Sequence, residues 1–92
     1  MSEARRTCTI VNQRGLHARA SAKFVGAVAG LPVGCSVKVV KDGNEAGGGS
    51  ILGLMMLGAA KGDTVEVVVA GDHADAVLDE ICAMIDDGFG ED

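Results

Sequence analysis

Aromatic residues are scarce in this sequence, and positive charge is in short supply. Trp and Tyr are absent, two Phe are the whole aromatic content, and eight Lys and Arg stand against thirteen Asp and Glu, a net charge of −5. The core must therefore be aliphatic. Nucleic-acid binding is disfavoured twice, because base stacking needs aromatic platforms and backbone binding needs a basic face.

Long apolar runs and paired cysteines are missing as well. No hydrophobic run approaches the length of a membrane span, and no secretory segment precedes the first predicted strand. The three cysteines, Cys8, Cys35 and Cys82, are far apart and odd in number, so they suggest no disulfide framework. We expect them to be small buried hydrophobic residues, and we expect a cytoplasmic protein without membrane insertion.

The length and hydrophobic content of the chain fit one domain. Its 92 residues are 48% hydrophobic, and they contain no repeat and no linker. We expect a single domain over 1–92 that buries one modest core and folds without a partner, as a monomer.

Hydrophobic periodicity predicts seven elements in the order β-α-β-β-α-β-α. The predicted strands are 7–11, 35–39, 44–46 and 64–70, and the predicted helices are 18–29, 51–57 and a last segment capped by Asp72. Residues 1–4 and 88–92 are expected to be loose ends. A tight hairpin at Asp42 and Gly43 joins the middle strands, which favours an α+β fold with a four-stranded, mostly antiparallel sheet and three helices on one face.

The last two helices differ in how their apolar residues are arranged. The last helix carries Asp75 in its first turn, His73 facing solvent, and one apolar stripe. The stripe consists of Val77, Leu78, Ile81 and Ile85. The second helix is too short to bury all of its apolar residues, and we assign Leu54 and Leu57 to the core.

Other apolar residues of the second helix are candidates for contact with partner proteins. We define a docking patch that consists of Ala22 on the first helix and Ile51, Leu52 and Met55 on the second. The alternative is that the apolar residues of the second helix all pack inward.

The clearest candidate for a reactive site is His17, where a loop becomes the first helix. The first amide groups of that helix, from Ala18 onward, have no partner within the helix. They and the helix dipole favour an anion beside His17 and favour the uncharged form of its ring. Arg19, in the first turn, can bind phosphoryl oxygens with its guanidinium. The sequence therefore indicates a nucleophile placed to accept a phosphoryl group.

The position alone leaves a plainer interpretation open. A histidine at a helix start is more often a solvent-exposed cap than a nucleophile, and a lone arginine such as Arg19 is more often a solvated charge. No acidic residue adjoins His17 in sequence to orient its ring, and a backbone carbonyl could do that instead. Ser50, which precedes the second helix, is in the same way consistent with a simple N-cap.

Two segments resemble the signatures of the HPr family, the histidine phosphocarriers of the bacterial phosphotransferase system. The first is Gly15-Leu16-His17-Ala18-Arg19, and the second is Gly49-Ser50-Ile51-Leu52-Gly53-Leu54-Met55-Met56-Leu57-Gly58-Ala59. Their order, their spacing and the order of elements over residues 7–85 also fit. The resemblance implies the open-faced sandwich of that family.

The resemblance also implies site residues and partners. His17 would take a phosphoryl group on Nδ1 from phosphoenolpyruvate by way of Enzyme I and give it to an EIIA-type protein. The guanidinium of Arg19 and the backbone amides of Ala18 and Arg19 would hold the phosphoryl group. Ser50 matches the serine that HPr kinase/phosphorylase modifies in some bacteria. No nucleotide-binding motif is present, so we expect a phosphoryl-transfer intermediate rather than a turnover enzyme, with no cofactor and no metal.

The sequence departs from the common family pattern in two ways. Ala20 stands where the family usually has Pro, which removes one rigid φ angle from the helix start but keeps its amide donors. Gly26, Ala29 and Gly53 stand where basic residues line the partner face of sugar-transport members. The chain therefore resembles the nitrogen-related branch more closely.

Two other functions remain open on the sequence. One is a regulatory module without phosphoryl transfer, which would bind enzymes through Ile51, Leu52 and Met55 of the second helix. The other is a small metal or redox protein that would use the three cysteines with His17 and His73, although their spacing fits no recognised zinc pattern.

Overall fold

The structure is a computed structural model that describes residues 3–91. Within that range it contains four strands and three helices in the predicted order, followed by one turn of 3-10 helix. The elements are β1 (Glu3–Thr9), α1 (Ala18–Ala29), β2 (Ser36–Lys41), β3 (Asn44–Gly47), α2 (Ile51–Met56), β4 (Thr64–Ala70), α3 (Ala74–Asp86) and η1 (Gly88–Gly90). No helix within that range is long and apolar enough to cross a bilayer.

The four strands form one sheet in the order β1-β4-β2-β3, and all three neighbouring pairs are antiparallel. The tight turn between β2 and β3 is the predicted one. Asp42 and Gly43 have φ angles of +52° and +82°, the left-handed pair that a two-residue hairpin requires. The predicted α+β fold is therefore confirmed.

The core lies between the sheet and the helices. β4 contributes Val65, Val67 and Val69, and α1 contributes Ala20 and Phe24, all buried. The whole predicted stripe of α3 is buried as well. Leu54 is fully buried, as predicted, whereas Leu57 caps α2 and is only partly buried.

The strand ends differ from the prediction because pairing with a neighbour extends beyond the local apolar pattern. β1 begins at Glu3 rather than at residue 7, since Glu3 pairs with Ala70 in β4. Residues 3 and 4 are therefore part of the sheet, and residues 1 and 2 lie outside the described range. β1 also ends two residues earlier than predicted, although Ile10 is buried. Similarly, β2 begins after Cys35, which is half-buried.

The predicted cap of α3 is wrong. His73, not Asp72, is the N-cap residue; it has a left-handed φ of +60° and makes no side-chain capping bond. It is exposed, as predicted, and Asp75 lies in the first turn. Asp72 instead accepts a hydrogen bond on its carbonyl oxygen from Cys35 Sγ, at 3.4 Å.

The expectation that residues 88–92 are loose is also wrong for residues 88–91. Gly88–Gly90 form η1, and Phe89 is 2% exposed. Burial of an aromatic side chain lowers the free energy by more than the conformational entropy of a short polar tail opposes. Phe89 therefore anchors this segment. Asp92 lies outside the described residues.

Candidate active site

His17 is held in place by the loop that precedes α1. Asn12 is 3% exposed and donates from Nδ2 to the carbonyl oxygen of Gly15 at 2.8 Å, which closes the loop. The amide of Leu16 then donates to the carbonyl oxygen of Ala59 at 2.9 Å, and the Leu16 side chain is buried. One hydrogen bond within the loop, one hydrogen bond to the loop after α2 and one buried side chain therefore fix the backbone immediately before His17.

His17 is the N-cap residue of α1, with an extended backbone (φ −75°, ψ −179°). Its Nδ1 accepts a hydrogen bond from the Arg19 amide at 3.3 Å, the role that Ser or Asp more often plays at this position. The imidazole therefore turns Nδ1 toward the electropositive end of α1, where the Ala18 and Ala20 amides also lack helical partners.

The other ring nitrogen of His17 contacts a carboxylate. Nε2 lies 2.6 Å from Glu91 Oε2, and the two side chains are 14% and 17% exposed. An ionised carboxylate only accepts hydrogen bonds, so Nε2 carries the proton in this contact. Nδ1 is then the nitrogen without a proton, and its lone pair accepts the hydrogen bond from the Arg19 amide.

His17 and Asn12 hold the Glu91 carboxylate directly, and Lys23 holds the backbone two residues before it. Asn12 Nδ2 donates to its Oε1 at 3.1 Å, and Lys23 Nζ donates to the carbonyl oxygen of Phe89 at 2.6 Å. The hydrogen bond from His17 lowers the pKa of Glu91 most; burial opposes this, and Asn12 and Lys23 lower it further. Glu91 is therefore an ionised carboxylate at neutral pH.

The sequence did not predict Glu91, Asn12 or Lys23 as site residues. The sequence allowed a backbone carbonyl to orient the ring, but the group that contacts Nε2 is the Glu91 side chain, 74 positions away in the chain. One feature of the sequence indicates that this segment is ordered. Phe89 is one of only two aromatic residues in an aliphatic chain, and such a residue is more often buried than part of a loose tail.

The predicted phosphoryl-binding groups lie around His17 as follows. The Arg19 amide is directed at Nδ1, while its side chain is exposed and forms no hydrogen bond or ion pair with the described residues. Its guanidinium is thus free to bind an oxyanion. Ala20, in the place of the family's usual Pro, is fully buried, and α1 still begins at Ala18.

The second signature lies on α2. Ser50 is exposed, and its Oγ accepts from the Gly53 amide at 2.9 Å, so it is the N-cap of that helix. In the docking patch Leu52 is 67% exposed, Ile51 and Met55 are about two-fifths exposed, and Ala22 is exposed on α1. Met56, which was not assigned to the patch, is also exposed.

The cysteines and histidines of the metal alternative do not come together. Cys8 and Cys82 are buried with 3.0 Å between their sulfur atoms, Cys35 is half-buried elsewhere, and His73 is exposed at the start of α3. Over residues 3–91 no group of three or more His, Cys, Asp or Glu side chains could hold a metal ion. The expectation of burial is confirmed for Cys8 and Cys82 and wrong for Cys35.

Comparison with known families matches residues 4–87 to the family described as "PTS HPr component phosphorylation site". The chain belongs to the HPr family. The phosphocarrier protein NPr of Shewanella violacea is 38% identical over 99% of this chain and 98% of its own length. The phosphocarrier protein HPr of Pseudomonas aeruginosa is 39% identical over 90% of this chain and 91% of its own length.

Solved structures of HPr proteins have the same fold as this HPr-family chain. A crystal structure of HPr from Thermoanaerobacter tengcongensis superposes with a TM-score of 0.86, at 33% identity, over 100% of this chain and 99% of that one. The relatives are phosphocarriers by name, and they support a phosphocarrier role in the phosphotransferase system for this chain. The resemblance to an NPr-like member of the family is confirmed.

Proposed function

We propose that His17 accepts a phosphoryl group on Nδ1 from Enzyme I and that the protein passes this group to an EIIA-type protein. The observation that carries the proposal is the orientation of the ring. The lone pair of Nδ1 faces the amide end of α1, and Nε2 donates its proton in a hydrogen bond to the Glu91 carboxylate. His17 thus combines a nucleophilic nitrogen with two neighbouring groups. These are amide donors for an oxyanion and a carboxylate that stabilises positive charge on the ring.

The transfer needs no proton to move at the ring. The Nδ1 lone pair gives up the hydrogen bond from the Arg19 amide and attacks phosphorus, so that the Nδ1–P bond forms. The bond between phosphorus and the donor atom breaks, and its electron pair stays on the donor. Onward transfer reverses these roles, with the acceptor as nucleophile. The histidine is therefore a covalent intermediate that divides one transfer into two steps.

Arg19 and the first amides of α1 supply the electrostatic part of the proposed site. The exposed guanidinium of Arg19 can bind two phosphoryl oxygens, while the amides of Ala18 and Arg19 lie at the helix end that favours negative charge. Since phosphoryl transfer depends on positioning and charge stabilisation, these few groups suffice.

The proposal extends to the cellular role. Gly26, Ala29 and Gly53 in place of basic residues, together with the full-length similarity to a carrier named NPr, support the nitrogen-related branch over sugar transport. We place the protein in the cytoplasm, as a monomeric carrier without a cofactor. Its complexes should be short-lived, because a carrier must leave one partner to reach the next.

Phosphorylation with labelled phosphoenolpyruvate and Enzyme I of the same cell tests the proposal. We expect one phosphoryl group per chain, labile in acid and stable in base. His17→Ala should abolish this label, whereas His73→Ala, the matched change at the exposed histidine, should leave it intact. A label that survives His17→Ala, or wild-type protein that takes no label, would contradict the proposal.

The same experiment separates the carrier from a regulatory module that only binds. If His17→Ala keeps its affinity for a partner and wild-type protein takes no label, the module without phosphoryl transfer is the better description. If the wild-type protein is labelled and transfers its label to an EIIA-type protein, carriage is supported and the module is not.

The docking patch is proposed as the surface that meets the donor and the acceptor. α1 and α2 pack against each other, so the patch residues lie on two neighbouring helices, and all of them have exposed side chains. Leu52→Glu should weaken transfer from Enzyme I about tenfold or more, because it places a charge in an apolar contact. Val33→Glu is the matched control, since Val33 is a fully exposed apolar residue outside the patch. Equal effects of the two changes would contradict the assignment.

Ser50 is proposed as a site of regulatory phosphorylation by an HPr kinase. It is exposed and therefore accessible, and a phosphate there would add about two negative charges beside Ile51 and Leu52. Incubation with HPr kinase and ATP should add one acid-stable phosphate that is lost in Ser50→Ala. If Ser50 is not modified under these conditions, the regulatory proposal is wrong and Ser50 is an N-cap only.

A further inference from the structure

We propose that Glu91 is a positioning residue for phosphoryl transfer: its carboxylate keeps the proton on Nε2 of His17 and stabilises the positive charge that the ring gains when Nδ1 is phosphorylated. The inference rests on the proposed function of His17. It concerns a residue outside both signature segments and outside the region matched by the family, residues 4–87.

Two independent contacts define the same protonation pattern of the ring. The Arg19 amide donates to Nδ1 at 3.3 Å, which requires a lone pair there. Glu91 Oε2 lies 2.6 Å from Nε2, which requires a proton there. Either contact alone would favour this tautomer of the neutral imidazole, and together they exclude the opposite one.

The charge on the ring changes in the direction that Glu91 favours. A neutral imidazole whose Nδ1 forms a bond to phosphorus, while Nε2 keeps its proton, becomes a cationic ring. A carboxylate on Nε2 interacts more strongly with this cation than with the neutral ring. The interaction therefore strengthens along the reaction, which is the condition for it to accelerate transfer.

Glu91 is held by the structure and does not swing freely as a surface side chain would. Asn12 Nδ2 divides its two protons between the Gly15 carbonyl oxygen and Glu91 Oε1, at 2.8 and 3.1 Å. Burial of Phe89 and the bond from Lys23 fix the backbone two residues earlier. The carboxylate is thus positioned by the same loop that positions His17.

The test compares Glu91→Ala and Glu91→Gln with Glu80→Ala. Glu80 is an exposed glutamate of α3 that forms no hydrogen bond or ion pair with the described residues, so it controls for loss of one negative charge.

Nitrogen-15-edited NMR of the unphosphorylated protein reports the ring proton and its exchange with water. Potassium phosphoramidate then phosphorylates the protein without any protein donor: the Nδ1–P bond forms, the P–N bond of the reagent breaks, and ammonia leaves.

We expect wild-type protein to show a slowly exchanging proton on Nε2 and none on Nδ1. Glu91→Ala should lose the slow exchange and react with phosphoramidate about tenfold more slowly, which is the lower end of the effects seen when a metal-bound histidine loses its carboxylate partner. Glu91→Gln, whose amide oxygen still accepts the bond without charge, should lie between the two. Glu80→Ala should match wild type in both measurements.

Several outcomes would overturn the inference. A proton on Nδ1 in wild-type protein would do so, and so would an unchanged rate in Glu91→Ala. A faster rate in Glu91→Ala would show that Glu91 covers His17 rather than assisting it. A slower rate with unchanged proton exchange would show that the effect does not pass through Nε2.

Failure of the proposed function gives a different result. In that case wild-type protein and all three variants take no label from phosphorylated Enzyme I, while the NMR measurement and the reaction with phosphoramidate still report on Glu91. Circular dichroism of each variant checks that the fold is intact.

Discussion

Gly15 and Ala59 lie so close that a side chain on Gly15 would overlap the carbonyl oxygen of Ala59. That same oxygen accepts the amide of Leu16, and Gly15 has a left-handed φ of +63°. The loop before His17 is therefore packed against the loop after α2 without space between them. Backbone contact therefore connects the two signature segments at this point.

Gly15→Ala should disturb both stability and the site. A left-handed φ costs an alanine about 1 kcal/mol, and the overlap with Ala59 adds to this, so we expect a loss of about 3 kcal/mol or more in the free energy of unfolding. Gly58→Ala is the matched control, because Gly58 has nearly the same φ, +66°, with open space around its Cβ position. Urea unfolding measures both. Equal losses in the two variants would show that the contact with Ala59 does not matter.

The N-cap of α2 predicts a second pair of variants. Ser50→Ala removes the acceptor for the Gly53 amide and should lower the free energy of unfolding by about 1 kcal/mol. Ser50→Asp keeps an acceptor and places a negative charge at the helix start, so it should retain most of the stability. Thermal unfolding checks the order. If Ser50→Asp is as unstable as Ser50→Ala, the capping bond is not what Ser50 contributes.

The three thiols should differ strongly in reactivity. Burial, and then the hydrogen bond to Cys82, raises the pKa of the Cys8 thiol to about 12, so very little thiolate exists at pH 8. Cys35 is only half-buried. Iodoacetamide at pH 8 should therefore label Cys35 alone in the folded protein, and all three cysteines after denaturation. Mass spectrometry counts the labels, and Cys35→Ser should take none while folded. A folded Cys35→Ser protein that labels readily would contradict the burial of Cys8 and Cys82.

The Glu91 carboxyl group predicts a measurable pH dependence. Its pKa is lowered from the ordinary value of 4.5, mainly by the hydrogen bond from His17. The stability it contributes is therefore fully present above about pH 4.5 and is lost only as the pH falls through the lower folded value.

Titration of the Glu91 side-chain carbon by carbon-13 NMR measures this shift. The midpoint should lie below 4.5 in wild-type protein. It should rise toward that value in His17→Ala, and rise less in Asn12→Ala, because Asn12 contributes less to the shift. A midpoint that does not move in His17→Ala would contradict the contact.

The sequence predicted what depends on local pattern. Alternating apolar residues predicted Thr64–Ala70, the strand β4, and a helical period predicted Ala18–Ala29, the helix α1, both with the bounds that the structure shows. The hairpin at Asp42 and Gly43 followed from turn chemistry. His17 and Arg19 were found because a helix start has physical properties of its own, whatever packs around it.

The tertiary structure decided what depends on packing between distant segments. Glu91 contacts His17, and Cys8 contacts Cys82, each across 74 positions of the chain. No local period predicts such contacts, since they arise only when α3 packs on β1 and the segment after α3 follows it toward α1. The proposed nucleophile was thus indicated by the sequence, but its carboxylate partner was not. The order of residues determines which side chains are neighbours along the chain. The packing of helices and strands around the core determines which side chains from distant segments come into contact.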